Sequence, residues 1–473
     1  MIQVANGLQL LSVSKDVQFL FDQALSEFLG WFGNPISTLN EIIKKDPNII
    51  MAHVLLLAFD LLGTAIPLNS PIITERVAHI KGLLKTVHHS HQEYMHAKAM
   101  FAWADGRHDL SGEIYEQILL QQPKDILALK IAQDSYFYLG NTQQLYQSVH
   151  DVVHHYDDPS VPDKEASSIQ DALERKQMFT RGFVLGMYSF GLEETGRYQE
   201  AETAARRGLY INKLDAWSTH GCAHVMEMQG RQEEGIKFLL ESKKDWSKAT
   251  ALACHLNWHL SLYYIEKGNF EEAIRIYDND ISKSVESEAM LDLVDGASLL
   301  YRLLLENKLS RNDDRWKKLQ SIYGPHLKSH VLVFNDVHIA MCYDVHSDEF
   351  SEFLKSWNQY LQSRRHDSID INNKVANEIG ALIIDSILAY GEQKYERVYE
   401  NLHESAVGFN GSKVARIGGS HAQRDVLAQL LLGAMVRTPK QNNIVMQLLQ
   451  QRKNEKPNSG VTDRLIQKAV ENA

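Results

Sequence analysis

Apolar and small side chains recur along the chain with the spacing of α-helices that pack along one face. In the segment "EETGRYQEAETAARRGLYIN", Gly196 is followed by Tyr198, Ala201, Ala205 and Leu209, and positions three or four residues apart share one face of a helix. Glycine tolerates the backbone conformation that a turn requires, and a small residue such as Ala201 lets two helices approach closely. The sequence lacks the strict alternation that marks β-strands. The pattern predicts paired helices joined by glycine turns.

The helical pairs repeat with a period of 34 residues. Gly106 returns as Gly140, Gly196 returns as Gly230, and Gly268 follows after a short insertion. A helix–turn–helix unit of this length resembles the tetratricopeptide repeat. Each unit leaves an apolar face that the next unit covers. The sequence therefore predicts an all-α fold, a tetratricopeptide-repeat α-solenoid built as a superhelix of antiparallel helix pairs.

Two stretches depart from the repeat. Residues 156–177 contain two prolines and many charges, which predicts a surface insertion, with a functional lid as the alternative. Residues 307–330 also lose the pattern. Neither stretch has the composition of a flexible linker, so we expect one continuous solenoid over residues 1–473. The most apolar window, residues 49–68, is interrupted by polar residues and proline and predicts a buried helix rather than a membrane span.

Composition narrows the functional classes. The chain has 49 Lys and Arg against 60 Asp and Glu, giving a net charge of −11. No basic block offsets this excess, so we expect no nucleic-acid partner. The three cysteines follow no repeated spacing, which predicts a reducing compartment. The first residues show no signal-peptide pattern. We therefore expect a cytoplasmic protein without a membrane partner.

One helix carries a polar stripe beside its packing positions. In "DAWSTHGCAHVMEM", His220, His224 and Glu227 are spaced i, i+4, i+7 and share one face. The first helix of each tetratricopeptide repeat lines the concave groove of the superhelix, so the resemblance implies that this stripe faces the groove. The positions expected to pack in the core are Thr219, Cys222, Ala223 and Met226.

Later helices carry polar groups in comparable positions. His255 and His259 are again four residues apart, in "ACHLNWHLSLYYIEKG". First helices of adjacent repeats stack on each other, so we expect the two histidine pairs to be neighbours, about 10 Å apart. The other candidates for a ligand site are Asp292, Asp295, His338, Arg424 and Asp425.

Metal binding is the chemistry that these spacings suggest. Two histidines four apart on a helix can bind one ion, and a catalytic zinc ion takes three protein ligands and keeps one open position. His220, His224, His255 and His259 are therefore candidate ligands for a divalent metal. The simpler interpretation is that these groups hydrogen-bond between helices. A nucleophilic enzyme is disfavoured, because Cys254 cannot face its neighbour His255 on a helix and no GxSxG motif occurs.

Specific blocks of the sequence resemble one family. "LALKIAQDSYFYLG", "DAWSTHGCAHVMEMQG", "FNDVHIAMC", "GGSHAQRDVLAQLLL" and "KPNSGVTDRLIQKA" are similar to the tetratricopeptide repeat protein 38 family, and the resemblance spans about residues 15–470. The charged insertion around residues 158–175 is the main departure. That family has no established reaction or ligand. The resemblance therefore implies the fold and an intracellular location, and it assigns no catalytic residue.

Three functions are consistent with this sequence. A scaffold that holds a peptide or a partner protein in the concave groove is favoured, because repeat arrays offer extended binding surfaces. The alternative is an enzyme or a metal-dependent protein that binds a small molecule at a His/Asp/Arg cluster inside the superhelix. A structural subunit of an obligate complex is the third. A closed polar pocket favours the enzyme, an open groove favours the scaffold, and a large exposed apolar patch favours the subunit.

Overall fold

The chain folds into α-helices joined by turns. The computed structural model describes residues 5–8, 10–11, 13–362, 370–406, 412–438 and 442–472. Within these ranges there is no β-strand, so the predicted all-α fold class is confirmed. Helices that follow each other in sequence pack against each other, as in an α-helical repeat solenoid.

The chain divides into two compact units. The first comprises Met1–Val225, Ser242–Ala253 and Ile369–Ile371, and the second comprises Met226–Glu241, Cys254–Ser368 and Asn372–Ala473. One continuous solenoid over the whole chain stays a prediction.

Most helices of the first unit are joined by short connections, which hold sequence neighbours side by side, and the long exception is the stretch of residues 154–171. These helices are α1 (Lys15–Gly30), α2 (Pro35–Lys45), α3 (Ile50–Leu62), α4 (Pro71–Thr86), α5 (His91–Ala104), α6 (His108–Gln121), α7 (Ile126–Leu139), α8 (Thr142–Val153), α9 (Ala172–Glu194) and α10 (Tyr198–Ile211). Within the unit, α6 packs on α5 and α7, and α9 packs on α8 and α10.

Three helices then contribute residues to both units: α11 (Ala216–Met228), α12 (Gln232–Trp246) and α13 (Thr250–Glu266). The remaining helices belong to the second unit. They are α14 (Phe270–Ile276), α15 (Ser282–Ser284), α16 (Met290–Leu305), α17 (Asp314–Tyr323), α18 (Val333–Cys342), α19 (Asp348–Gln362), α20 (Ile371–Val375), α21 (Ala381–Gly391), α22 (Tyr395–Ala406), α23 (Ser412–Ala415), α24 (His421–Met435), α25 (Asn442–Glu455) and α26 (Gly460–Glu471). Of these, α20 begins at Ile371, the last residue of the first unit.

The glycine turns lie where the repeat predicts them. All five predicted glycines connect two helices and have φ between 61° and 79°, a conformation that side chains with a Cβ rarely adopt. At Gly196 the turn closes with two backbone bonds: its N–H donates to Glu193, and the N–H of Arg197 donates to Leu192 at 2.9 Å. This geometry terminates a helix and satisfies its last carbonyls. The prediction is confirmed at Gly106, Gly140, Gly196, Gly230 and Gly268.

Small residues occupy the close contact between paired helices. Ala201 on α10 is fully buried, as is Ala273 on α14. The hydroxyl of Ser189 on α9 donates to the carbonyl of Ala201 at 2.8 Å, so these two helices approach to hydrogen-bonding distance. A larger side chain at Ala201 has no space to occupy.

We expect Ala201→Leu and Ala273→Leu each to lower the free energy of unfolding by about 1–3 kcal/mol, because overpacking forces neighbouring side chains and backbone to shift. Urea denaturation of each variant measures the loss. Thr203→Leu, on the exposed face of α10, is the control and should unfold like the parent. Unchanged midpoints for both alanine variants would show that the repeat phase is misplaced.

The charged insertion is anchored to the unit that carries it. Asp157 and Asp163 are both bound by Arg207, at 2.9 Å each, and by Arg181, at 2.5 and 3.1 Å. The stretch between them is largely exposed, as expected of a surface insertion. Its last residues differ from the expectation, because α9 already begins at Ala172.

The second irregular stretch also contains a helix. Residues 314–323 form α17, whose Trp316 and Leu319 are buried. The repeat pattern did not predict this helix, because the turns on either side of it differ in length from the turns of the repeat.

In the apolar window at residues 49–68, α3 ends before Pro67. No helix in the described ranges combines the length and the apolar character that crossing a bilayer requires.

Candidate ligand site

The first histidine pair lies in the first unit, on α11. Asp215 caps this helix, because its carboxylate accepts from the N–H of Trp217 (3.1 Å) and the hydroxyl of Ser218 (2.6 Å). Burial raises the pKa of Asp215 to about 7. His220 and His224 follow one turn apart, with ring centroids separated by 4.3 Å. The predicted spacing therefore places the two rings together.

A buried carboxylate lies beside His224 in the same unit. Nδ1 of His224 lies 3.2 Å from Oε2 of Glu193 on α9, and both side chains are fully buried. The ring of Phe190 lies 5.3 Å from those of both His220 and His224. A carboxylate next to one ring nitrogen fixes the orientation of an imidazole.

Aromatic rings and a buried lysine continue the site within the first unit. Trp217 meets His220 edge-on at 5.8 Å. Nζ of Lys130 lies 5.2 Å from the ring of Trp217 and 5.5 Å from that of Trp31. Asp134 accepts from the same ammonium at 2.5 Å. The lysine charge is therefore balanced by a carboxylate and by ring faces.

The second histidine pair lies in the second unit, on α13. The rings of His255 and His259 are 4.7 Å apart and nearly perpendicular. Nδ1 of His255 donates to both carboxylate oxygens of Asp295, at 2.9 and 3.0 Å. Trp258 stacks on His255 at 4.9 Å. His259, Trp258 and Asp295 are at most 1% exposed, whereas the His255 side chain is 12% exposed.

A second aspartate lies one turn before Asp295 on α16. Asp292 is 4% exposed and accepts from the hydroxyl of Ser287 at 3.2 Å. Burial raises the pKa of Asp292 to about 8, and the charge of Asp295 adds to the rise. Burial also raises the pKa of the Cys254 thiol, together with the charges of both aspartates. Two neighbouring carboxylates in a buried place require a proton or a cation.

Arg302, also on α16, is a buried cation that donates to the hydroxyl of Ser298 and, at 2.8 Å, to the carbonyl of Ala422. Its guanidinium carbon lies 5.2 Å from the ring centroid of Trp258. Burial lowers the pKa of Arg302 to about 10, and the charges of Asp425, Glu227 and Asp295 oppose that fall. Three residues predicted from the sequence therefore act on one arginine in the second unit.

Glu227 is part of a buried ion cluster in the second unit. Nζ of Lys456 lies 2.8 Å from Glu227 and 2.7 Å from Glu266 on α13. Burial raises the pKa of Glu266, but the charge and hydrogen bond of Lys456, together with the N–H of Val461 and the charge of Arg452, hold that pKa below its usual value. The hydroxyl of Ser459 also donates to Glu266, at 3.0 Å. These bonds fix the turn between α25 and α26 against α11 and α13.

The remaining charged candidates on α24 have different partners. Asp425 is bound by Arg452, which donates to it at 2.6 and 3.0 Å. Arg424 donates to the backbone carbonyls of Gly418, at 3.3 Å, and Gly419. Asp425 therefore lies in an ion pair, whereas Arg424 stabilises the turn that precedes its own helix.

His338 is bound to its own helix. Its Nδ1 donates to the carbonyl of Phe334 at 2.7 Å, which leaves a neutral ring with its lone pair on Nε2. Burial lowers the pKa of His338 to about 4, and the charge of Arg302 acts in the same direction. His338 is therefore uncharged at neutral pH.

The polar stripe on α11 is enclosed rather than solvated. His220, His224 and Glu227 are 4%, 0% and 6% exposed, and the predicted packing positions are at most 1% exposed. Both faces of this helix are therefore buried, and exposure does not distinguish the predicted groove face from the predicted packing face. The sequence could not show this, because histidine is tolerated in a core when its ring finds partners.

Several residues of these clusters were missed from the sequence. Glu193, Arg452 and Lys456 lie far along the chain from the side chains they contact, and no local spacing relates them. One signal was present: Lys456 is the first residue of the block "KPNSGVTDRLIQKA", and Arg452 lies four residues before it. Glu193 carried no signal, since "EETGR" reads as an ordinary helix end.

Comparison of the chain with models of known protein families finds no match. The resemblance to the tetratricopeptide repeat protein 38 family stays a prediction.

Proposed function

We propose that the protein binds divalent transition-metal ions through its two His-x₃-His pairs and uses the bound metal to hold a small polar molecule. His220 and His224 are the ligands in the first unit, and His255 and His259 are those in the second. This proposal takes up the second of the three functions predicted from the sequence.

The observation that carries the proposal is the bond between His255 and Asp295. A carboxylate only accepts, so Nδ1 of His255 carries a proton, and in the neutral ring Nε2 then presents a lone pair. Metal-binding histidines are held in this way by a carboxylate on the other ring nitrogen, which also makes the ligand more basic. In the first unit the carboxylate of Glu193 lies 3.2 Å from Nδ1 of His224.

Enclosure supports a small ligand over a peptide. The four histidines are 0–12% exposed, whereas peptide recognition uses an open groove or a free edge. Small-molecule sites are enclosed and combine aromatic walls with a few polar groups, as Trp217, Phe190 and Trp258 do beside these histidines. Peptide binding in a concave groove stays a prediction.

Metal titration tests the proposal. Chelator-treated protein is titrated with Co²⁺, whose visible spectrum reports histidine coordination, and the metal content is measured after gel filtration. We expect uptake by the parent chain and at least a tenfold weaker affinity in His255→Ala/His259→Ala and in His220→Ala/His224→Ala. Asp295→Asn should weaken binding by roughly 10–100-fold, since it removes the carboxylate that orients His255.

His154→Ala/His155→Ala is the matched control. These two rings are also neighbours, at 4.0 Å, but both side chains are exposed. Circular dichroism confirms that each variant is folded. A folded parent chain that takes up no Co²⁺ or Zn²⁺ at micromolar concentration would refute the proposal, as would an equal loss in the control.

A further inference from the structure

Three side chains in the second unit form a chain of contacts away from the histidine pairs. Nδ1 of His330 lies 2.8 Å from Oδ1 of Asp336, and Nε2 of His330 lies 2.8 Å from Oγ of Ser356. The carboxylate only accepts, so Nδ1 carries the proton and Nε2 accepts the hydroxyl proton of Ser356. This is the order of contacts in a serine–histidine–aspartate triad.

The backbone around His330 is held in an unusual conformation. His330 has φ of 44°, a left-handed conformation that is strained for a residue with a side chain and that often occurs at functional sites. Asn372 holds this turn: its Nδ2 donates to the carbonyl of His330 at 3.1 Å, and its Oδ1 accepts from the N–H of Val333 at 2.8 Å. The turn directs the ring toward α19.

Aromatic side chains of α19 fix the ring of His330. Tyr360 stacks on it at 5.1 Å, with 20° between the planes, and Trp357 lies 5.6 Å away. The side chains of His330 and Asp336 are 5% and 1% exposed, whereas Ser356 is only partly buried. The base and its carboxylate are therefore enclosed, and the serine that they contact is only partly buried.

We propose that Ser356 is a nucleophile activated by His330 and Asp336, and that it accepts an acyl group from an ester. Oγ bonds to the ester carbonyl carbon while Nε2 of His330 takes the hydroxyl proton. The tetrahedral intermediate expels the alcohol, which takes that proton from His330, and the acyl group stays on Ser356. Water then attacks with His330 as base, and the carboxylic acid leaves.

A cation lies on the same face of the helix. Nζ of Lys328 lies 2.5 Å from Oε1 of Glu352, and Glu352 is one helical turn before Ser356. Both side chains of this pair are exposed and their charges cancel, so the pair adds no net charge beside Ser356. This nucleophile involves none of the residues of the proposed metal sites, so either proposal can fail without the other.

Covalent labelling tests the nucleophile. The folded full-length chain is treated with a biotinylated fluorophosphonate, and the modified residue is located by peptide mass spectrometry. We expect one adduct, on Ser356, and no adduct on Ser351. Ser351 is an exposed serine on the same helix, and its hydroxyl donates to the carbonyl of Ser347 instead of a histidine. This internal comparison needs no substitution.

Variants test the role of the base. Ser356→Ala should abolish labelling with an unchanged melting temperature, and His330→Gln should slow labelling by roughly 100-fold or more. The rate at which p-nitrophenol is released from p-nitrophenyl acetate should also be highest for the parent chain, lower for His330→Gln and abolished in Ser356→Ala. Absence of an adduct on Ser356, equal labelling of Ser351, or labelling of folded His330→Gln at the rate of the parent chain would each overturn the proposal and leave a structural hydrogen-bond network.

Discussion

Lys456→Met should lower the free energy of unfolding by about 3–5 kcal/mol, because it leaves two buried carboxylates without their cation. The side chains of Glu227 and Glu266 are 8% and 5% exposed, so water cannot replace the lost ammonium. Urea denaturation of the parent and the variant, followed by circular dichroism, measures the change.

A triple variant separates charge from packing. Lys456→Met combined with Glu227→Gln and Glu266→Gln removes the unpaired charges, and most of the lost stability should return. Lys237→Met is the control, since this lysine is 74% exposed and 3.9 Å from Glu241, where an ion pair contributes under about 1 kcal/mol. If the triple variant is no more stable than the single one, the loss arises from packing and not from buried charge.

Asp292→Asn should stabilise the chelator-treated protein at pH 8 and have a much smaller effect at pH 5. The folded pKa of Asp292 is raised from 3.8 to about 8, so the folded chain holds a proton that the unfolded chain releases between these values. Stability therefore falls as pH rises through this window, by up to about 1.4 kcal/mol per pH unit. Asparagine has no such proton to lose.

His338 contributes the opposite slope at lower pH. Its folded pKa is lowered from 6.5 to about 4, so this group adds stability as pH rises from 4 to 6.5. Below pH 6.5, His338 makes the parent chain more stable as pH rises, while Asp292 makes it less stable. Above pH 6.5, only the loss of stability due to Asp292 remains. Urea midpoints at pH 5, 6.5 and 8 measure both profiles. A difference between parent and variant that does not grow with pH would show that Asp292 is ionised in the folded chain.

The repeat pattern predicted the fold because it depends on local requirements. A turn between paired helices needs a positive φ, and glycine satisfies it at Gly196 as at Gly230. Histidines four residues apart must lie on one helix face, which is why the rings of His220 and His224 are neighbours. These features follow from residues close in sequence, so the sequence alone contains them.

The partners of the site could not be predicted in the same way. Lys456 reaches Glu227 across 229 positions, and Ser356 meets His330 across 26. Neither spacing is a helical or repeat period. The burial of His224 could not be predicted either. An amphipathic pattern shows which face of a helix carries polar groups, but it does not show whether another helix covers that face.

The ion cluster of Glu227, Glu266 and Lys456 imposes an order on synthesis of the chain. Both glutamates leave the ribosome long before the lysine, and at 5–20 residues per second the 229 positions between Glu227 and Lys456 take roughly 10–50 s to translate. During that time the nascent α11 and α13 carry carboxylates that cannot be buried at low cost. The ion cluster of the second unit can therefore form only after Lys456 has been synthesised, and the acidic, unfinished intermediate is the species that chaperones would encounter.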